Sequence, residues 1–210
     1  MALTGLFLIL FLIIHLAGNL QLLLPEEKAL TQFNLYSRTL SSNYIIKAIS
    51  YLLFASIIAH SVYALIITIQ NKKAAGQAYV YDQRAKVSKW YSRNMGFLGS
   101  IILIFLVIHL KDFWYVYSFG DLPQDSQGNK DLFTIVVTAY GELWYVVINL
   151  LAFVALGYHL LHGFQSAFKT LGAYPSKLAR WIYYAGIGLT FILTAGFIYI
   201  PLFVYFNYHS

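Results

Sequence analysis

The chain has 210 residues, of which 60% are hydrophobic, 18% aromatic and only 10% charged. Soluble domains carry about 25% charged residues, so little of this chain is free to form one. The net charge is +6, but the basic residues fall in short loops between apolar runs, a pattern that speaks for membrane orientation and against nucleic-acid binding. Cysteine is absent, which excludes disulfides, thiolate metal sites and iron–sulfur ligation.

A spanning helix needs about 20 mostly apolar residues, and five segments qualify. The first runs from about 2 to 24 and ends at Pro25. It has no basic lead and no small-residue cleavage site, so it reads as a retained span rather than a removed signal. The second runs from about 44 to 69. The third covers 95–119 and closes on Phe113, Trp114, Tyr115 and Tyr117, an interfacial aromatic belt. The fourth covers 142–168 and opens on Trp144 and Tyr145. The fifth covers 178–206, with Pro201 near its end. The stretch 122–132, with Pro123 and Gly128, reads as a short external excursion. The expected fold is all-α, a single integral membrane bundle of five transmembrane helices over 1–210.

Loop charge sets the expected orientation. Residues 70–94 hold Lys72, Lys73, Arg84, Lys86, Lys89 and Arg93 against Asp82, and residues 169–180 add Lys169, Lys177 and Arg180. The alternate loops are poorer in basic residues, with Lys28, Arg38 and Lys47 in one and Lys111 and Lys130 in the other. The positive-inside rule then places 70–94, 169–180 and the N-terminus in the cytoplasm and the C-terminus outside.

Four of the apolar segments carry interior histidines: His15, His60, His109, and the pair His159 and His162. An ionisable ring at such depth is costly and points to function. A lone case is ordinarily a helix–helix hydrogen bond. Antiparallel spans sort these histidines into two layers, with His15 and His109 toward the outside and His60 with His159 or His162 toward the cytoplasm. At about 1.5 Å rise per residue the layers lie on the order of 10–15 Å apart. Imidazole is an axial ligand of haem iron, and helix bundles build cofactor sites from facing helices. The reading is two non-covalent b-type haems, each held by two imidazoles, which suits electron transfer. Gly18, Ala64 and Gly163 lie near the histidines, where small residues let a flat macrocycle approach. His159 is three residues before His162 and shares its face, so depth leaves both open as the inner ligand. His209, at the C-terminus, reads as solvated.

These residues carry a resemblance. The stretches MALTGLFLILFLIIHLAGNLQ at 1–21, HSVYALIIT at 60–68, SRNMGFLGSIILIFLVIHLKDFW at 92–114 and YHLLHGFQSAFKTLG at 158–172 resemble the dihaem cytochrome b subunit of succinate dehydrogenases and fumarate reductases. The resemblance is to the single-chain, five-helix b558 type of Bacteroidetes-like bacteria. It implies that His15 and His109 ligate an outer haem, and His60 and His162 an inner one. The family's fourth-helix ligand precedes a motif like Gly163-Phe164-Gln165-Ser166, which favours His162 and makes His159 a packing neighbour. Two departures stand out. Family members start with a short basic segment that is not seen here. Some relatives carry a glutamate two residues before the fourth-helix ligand, linked to transmembrane proton movement, where this chain has Leu160.

The resemblance further implies a membrane anchor for a flavoprotein and an iron–sulfur subunit in the bacterial cytoplasmic membrane, with the dicarboxylate site on the flavoprotein. Electrons would run from the iron–sulfur subunit through the inner and outer haems to quinone, menaquinone in such bacteria. The basic loops would face the iron–sulfur subunit. Lys89, Trp90, Ser92 and Arg93 are candidates for the inner haem's propionates, and Asn19, Gln21, Glu26, Asn34 and Arg38 for an outer quinone site. Two rivals share part of the pattern. One is a dihaem cytochrome b of another quinone-linked oxidoreductase, which would lack the HGFQSAF-like and SRNMG-like stretches. The other is a haem-free transporter with histidine proton relays, which would carry more intramembrane carboxylates.

Overall fold

The computed structural model describes residues 1–75, 86, 88–172 and 177–208; Asp82, Arg84 and His209 lie outside them. Among the described residues the chain is helical with no strand. Five helical stretches are long and apolar enough to cross a bilayer: Ala2–Leu23, Tyr44–Ala74, Met95–Phe119, Leu143–Thr170 and Ala179–Asn207. They match the five segments expected from hydropathy, with the second extended to its lysines. The chain is a multi-pass membrane protein.

The first span is α1 (Ala2–Asn19) and a 3-10 turn, Leu20–Leu23. It stops because Pro25 forces the preceding residue out of the helical region; Leu24 is extended, with ψ 164°. An amphipathic helix, α2 (Glu26–Ser42), follows, and Glu26 and Glu27 in its first turn complement the helix dipole. Asn43 breaks the chain and caps the next helix, its Oδ1 accepting from the amides of Ile45 (2.9 Å) and Ile46 (3.2 Å). The second span is α3 (Tyr44–Ala75), and Trp90–Arg93 forms a single turn before α4 (Met95–His109). The third span then loosens into a π segment, Leu110–Tyr115, immediately after His109. A short apolar helix, α5 (Leu132–Gly141), precedes the fourth span, α6 (Leu143–Thr170), and α7 (Ala179–Asn207) completes the bundle.

The spans are not equivalent. In α6, 44% of the spanning window is buried, against 6% in α3. α6 is therefore the central post, and α3 shows most of its surface to lipid. The close seat of α7 on α6 depends on glycine: a β-carbon at Gly157 would lie 2.8 Å from Thr194 Oγ1, and one at Gly186 would lie 2.5 Å from the Phe164 ring. Such small-residue contacts let membrane helices approach where no hydrophobic drive separates helix from lipid.

Hydropathy passes over α2 and α5, because neither is long enough to span. Together they form a cap at the end of the bundle where α1 finishes. Asn34, fully buried in α2, accepts from the Phe133 amide (2.9 Å) and donates to Asp131 Oδ1 (3.0 Å). Arg38 donates to Asn129 Oδ1 (3.1 Å), and Lys130 Nζ donates to the Tyr117 carbonyl (2.8 Å). The excursion itself is an ordered turn. Asp125 Oδ1 accepts from the amides of Gln127 and Asn129, both at 2.9 Å. Burial opposes the Asp125 charge, but the bonds from the Asn129 side chain and the two amides outweigh it and hold the carboxyl below its ordinary range. Asp131 caps α5, accepting from the Thr134 amide (3.0 Å) and hydroxyl (2.6 Å). Tyr208, beyond α7, donates to the carbonyls of Leu22 (2.9 Å) and Leu24 (2.6 Å) and so holds the 3-10 turn.

Candidate functional site

The interior histidines gather at two levels. At the first, α1 brings His15 and α4 brings His109 to a ring separation of 5.8 Å with the planes at 90°. Aromatic rings enclose this pair. Phe11 stacks on His15 at 5.1 Å, Phe197 approaches it at 6.0 Å, and Phe105 and Phe113 flank His109 at 5.5 and 5.1 Å. The sequence makes this cage by helical spacing: Phe11 and His15 are four apart, and so are Phe105, His109 and Phe113. Asn19, one turn beyond His15, donates to the His15 carbonyl (2.8 Å) and lies 3.5 Å from its Nε2.

At the second level, His60 on α3 meets His159 on α6, ring centres 6.3 Å apart at 59°. His60 Nδ1 lies 3.1 Å from Thr4 Oγ1. Gly5 passes over the same ring, where a β-carbon would sit 3.5 Å from His60 Cε1; one at Gly99 would sit 3.8 Å from His159 Cε1. His162 takes a different partner, with Nδ1 3.0 Å from Ser92 Oγ. The structure therefore brings together His15 with His109, and His60 with His159, and leaves His162 beside this second pair on the Ser92 hydroxyl.

Two helices give the spacing of the levels independently. Thr4 marks the depth of His60 on α1, and His15 is eleven residues farther, about 16 Å at 1.5 Å per residue. Gly99 marks the depth of His159 on α4, and His109 is ten residues farther, about 15 Å. The two estimates agree with each other and lie at or just above the upper end of the expected separation.

The turn Trp90–Arg93 clamps the end of α6 at the second level. Trp90 and Tyr91 pack on Tyr158 at 6.1 and 6.0 Å. Lys89 Nζ lies over the rings of Tyr91 and Tyr183, 5.7 and 5.9 Å from their centres. The Tyr91 hydroxyl foremost, with Tyr183, holds the exposed Lys89 ammonium above its ordinary lysine value. Arg93 bonds the Ser88 carbonyl and lies 3.5 Å from its hydroxyl. Trp90, Ser92 and Arg93 thus sit on one turn with Lys89 at its N-cap, and the Ser92 hydroxyl lies 3.0 Å from His162 Nδ1.

Of the residues considered for a quinone, Asn34 and Arg38 are engaged in the cap described above. Gln21 borders a cleft of about 400 Å³ together with Gln32, Leu35, Tyr36 and Thr39. Its Nε2 donates to the Gly18 carbonyl (3.0 Å). The Tyr36 ring occupies the space that Gly18 leaves, since a β-carbon there would lie 2.7 Å from Tyr36 Oη. Gly18 thus makes room for a tyrosine, and the glycines that touch histidine rings are Gly5 and Gly99. Both are on neighbouring helices, a relation that sequence spacing does not carry.

Paired imidazoles are a donor set of the kind that haem accepts. Among the described residues no group of three or more His, Asp or Glu is placed to hold a bare metal ion. A haem supplies its own equatorial nitrogens and needs only axial ligands from the protein. The ring centres of the two pairs lie 5.8 and 6.3 Å apart. Among the described residues His109 Nδ1 and His159 Nδ1 are buried without a hydrogen-bond partner, an arrangement that costs free energy unless another ligand or group completes it.

Fold and site define a class, a helical multi-pass membrane protein with two levels of paired histidines in its core. Beyond that class, comparison with family models, curated proteins and solved structures finds no match to this chain.

Proposed function

We propose that this chain is a dihaem cytochrome b subunit, the membrane anchor of a succinate dehydrogenase or fumarate reductase that exchanges electrons with quinone in a bacterial cytoplasmic membrane. The observation that carries the reading is the pairing of imidazoles at 5.8 and 6.3 Å on two levels about 15 Å apart. A b-type haem, when bound, supplies a one-electron carrier that cycles between ferric and ferrous iron.

The chain's own residues do the rest. His15 and His109 would hold the outer haem, and the rings of Phe11, Phe105, Phe113 and Phe197 would exclude water from it. His60 supplies one inner ligand, and α6 supplies the other from His162, which the sequence resemblance favours, or from His159, whose ring lies against His60. Lys89, Trp90, Ser92 and Arg93 provide cationic and hydrogen-bonding groups for propionates at the same end. The basic loops on that side are the docking face for the iron–sulfur subunit, whose flavoprotein partner holds the dicarboxylate. At the opposite end Gln32, Tyr36 and the second amide N–H of Gln21 offer donors to the carbonyls of a quinone, menaquinone by the resemblance, in the cleft beside Gly18.

The deciding experiment is a reduced-minus-oxidised optical spectrum of the purified protein with haem quantified as the pyridine haemochrome. Two b haems per chain are expected. A colourless protein, freshly isolated from its native membrane, would refute the reading and favour a histidine-based proton carrier. Co-purification with flavin and iron–sulfur subunits, together with succinate–quinone activity, separates this assignment from other dihaem cytochromes.

A further inference from the structure

Four buried side-chain atoms lack a hydrogen-bond partner among the described residues, and two of them, His109 Nδ1 on α4 and Asn149 Oδ1 on α6, stand at one level on adjacent helices. The shared level follows from register. α4 and α6 run antiparallel, since Gly99 lies against His159, Phe105 meets Phe153 with ring centres 5.4 Å apart, and Tyr145 Oη donates to Asp112 Oδ2 at 3.3 Å. Phe105 and His109 share one face of α4, four residues apart. Asn149 and Phe153 share one face of α6 by the same spacing. One turn beyond the Phe105–Phe153 contact, in opposite chain directions, His109 comes level with Asn149.

The amide orientation of Asn149 is fixed by its surroundings. Its nitrogen donates to the Tyr145 carbonyl at 2.8 Å, so the remaining atom is the acceptor oxygen. Asn149 is 1% exposed. An asparagine in an apolar span is expensive to bury, and the Tyr145 bond leaves half of its hydrogen-bonding capacity unused. On the other side, an imidazole that ligates metal through Nε2 carries its proton on Nδ1 and almost always donates it to an outer partner. His109 Nδ1 has no partner on its own helix. A donor without an acceptor and an acceptor without a donor therefore stand at one depth between the same two helices.

We infer that Asn149 is the positioning residue of His109. Its Oδ1 receives the Nδ1–H hydrogen of the outer-haem ligand, through a bridging water or a small rotation of the amide, and so sets that imidazole's tautomer and basicity. This rests on the cytochrome reading above. An acceptor on Nδ1–H makes the imidazole a stronger donor to iron and favours the ferric state; removing it favours the ferrous state.

The test is a potentiometric titration of both haems in the assembled complex, comparing wild type with Asn149→Leu and Asn149→Asp. Leucine has nearly the shape of asparagine and no acceptor. In Asn149→Leu one of the two haems is expected to shift about tenfold toward its reduced form at a given potential, about 59 mV for a one-electron couple, while the other stays in place. Asn149→Asp keeps an acceptor but loses the donor to the Tyr145 carbonyl, and it is expected to move the same haem in the opposite direction. A merely structural asparagine predicts no rise in either haem's potential in Asn149→Leu, and that result overturns the inference while leaving the cytochrome reading intact. If Asn149→Leu does not assemble, Asn149→Ala takes its place and is read the same way, because a buried carboxylate lowers the potential of a nearby haem by its charge alone. Wild-type protein without haem would sink the cytochrome reading and this inference together.

Discussion

The His15–His109 pair and the His60–His159 pair lie in the same bundle but are held by different means. The first is enclosed by phenylalanine rings on three helices, and the cap of α2 and α5 closes that end of the bundle. The second is held by hydroxyls and close backbone: Thr4 on His60, Ser92 on the neighbouring His162, and Gly5 and Gly99 against the rings. An aromatic cage fixes a ring by packing and keeps water away. A hydroxyl contact fixes a ring by direction and leaves room to exchange partners. The His15–His109 level accordingly holds one pair of imidazoles, whereas the His60 level holds three, His60, His159 and His162.

The sharpest way to break this comparison is to delete ligands at each level. His109→Ala is expected to remove one of the two haems and spare the other, read as half the haemochrome per chain. Single alanine variants of His159 and His162 then test the inner choice: the ligand's variant loses the second haem, and the neighbour's keeps it with an altered spectrum. Loss of haem in neither variant would mean that each replaces the other.

The cap provides the next test. Asn34→Leu leaves the buried Phe133 amide without its acceptor and takes one of three hydrogen bonds from Asp131, a loss of about 1–3 kcal/mol. Thermal unfolding in detergent should show it, with the inner haem less affected than the outer. Gly18→Ala pushes on the Tyr36 ring, which can swing toward the cleft, so about 1 kcal/mol is expected. Its more telling readout is weaker quinone reduction with unchanged haem content.

The smallest effect concerns acid. Asp125 has a carboxyl held below its ordinary range in the fold, so its contribution is present above the unfolded value of about 3.9 and fades as the pH falls through the lowered folded value. Asp125→Asn should flatten the acid limb of the stability profile below about pH 4 and change little near neutrality. An identical acid limb in the variant would assign that loss to other carboxylates.

The sequence alone determined the five spans and the depth of each histidine. The bilayer imposes a length of about 20 apolar residues on any helix that crosses it, and the fixed rise of a helix turns sequence position into depth. Composition likewise excluded thiolate and iron–sulfur chemistry. Tertiary structure decided what depends on which faces meet. The helices α2 and α5 are too short for a hydropathy signal, and they become a cap only because Asn34 and Arg38 reach residues nearly a hundred positions away. His159 and His162 share one face and nearly one depth, so only the packing of α3 and the Trp90–Arg93 turn against α6 gives each its partner. Asn149 is one polar residue in an apolar span until the register of α4 against α6 sets it opposite His109. Helical periodicity fixes direction and depth within one helix; the rotation and register between two helices are properties of their packed surfaces.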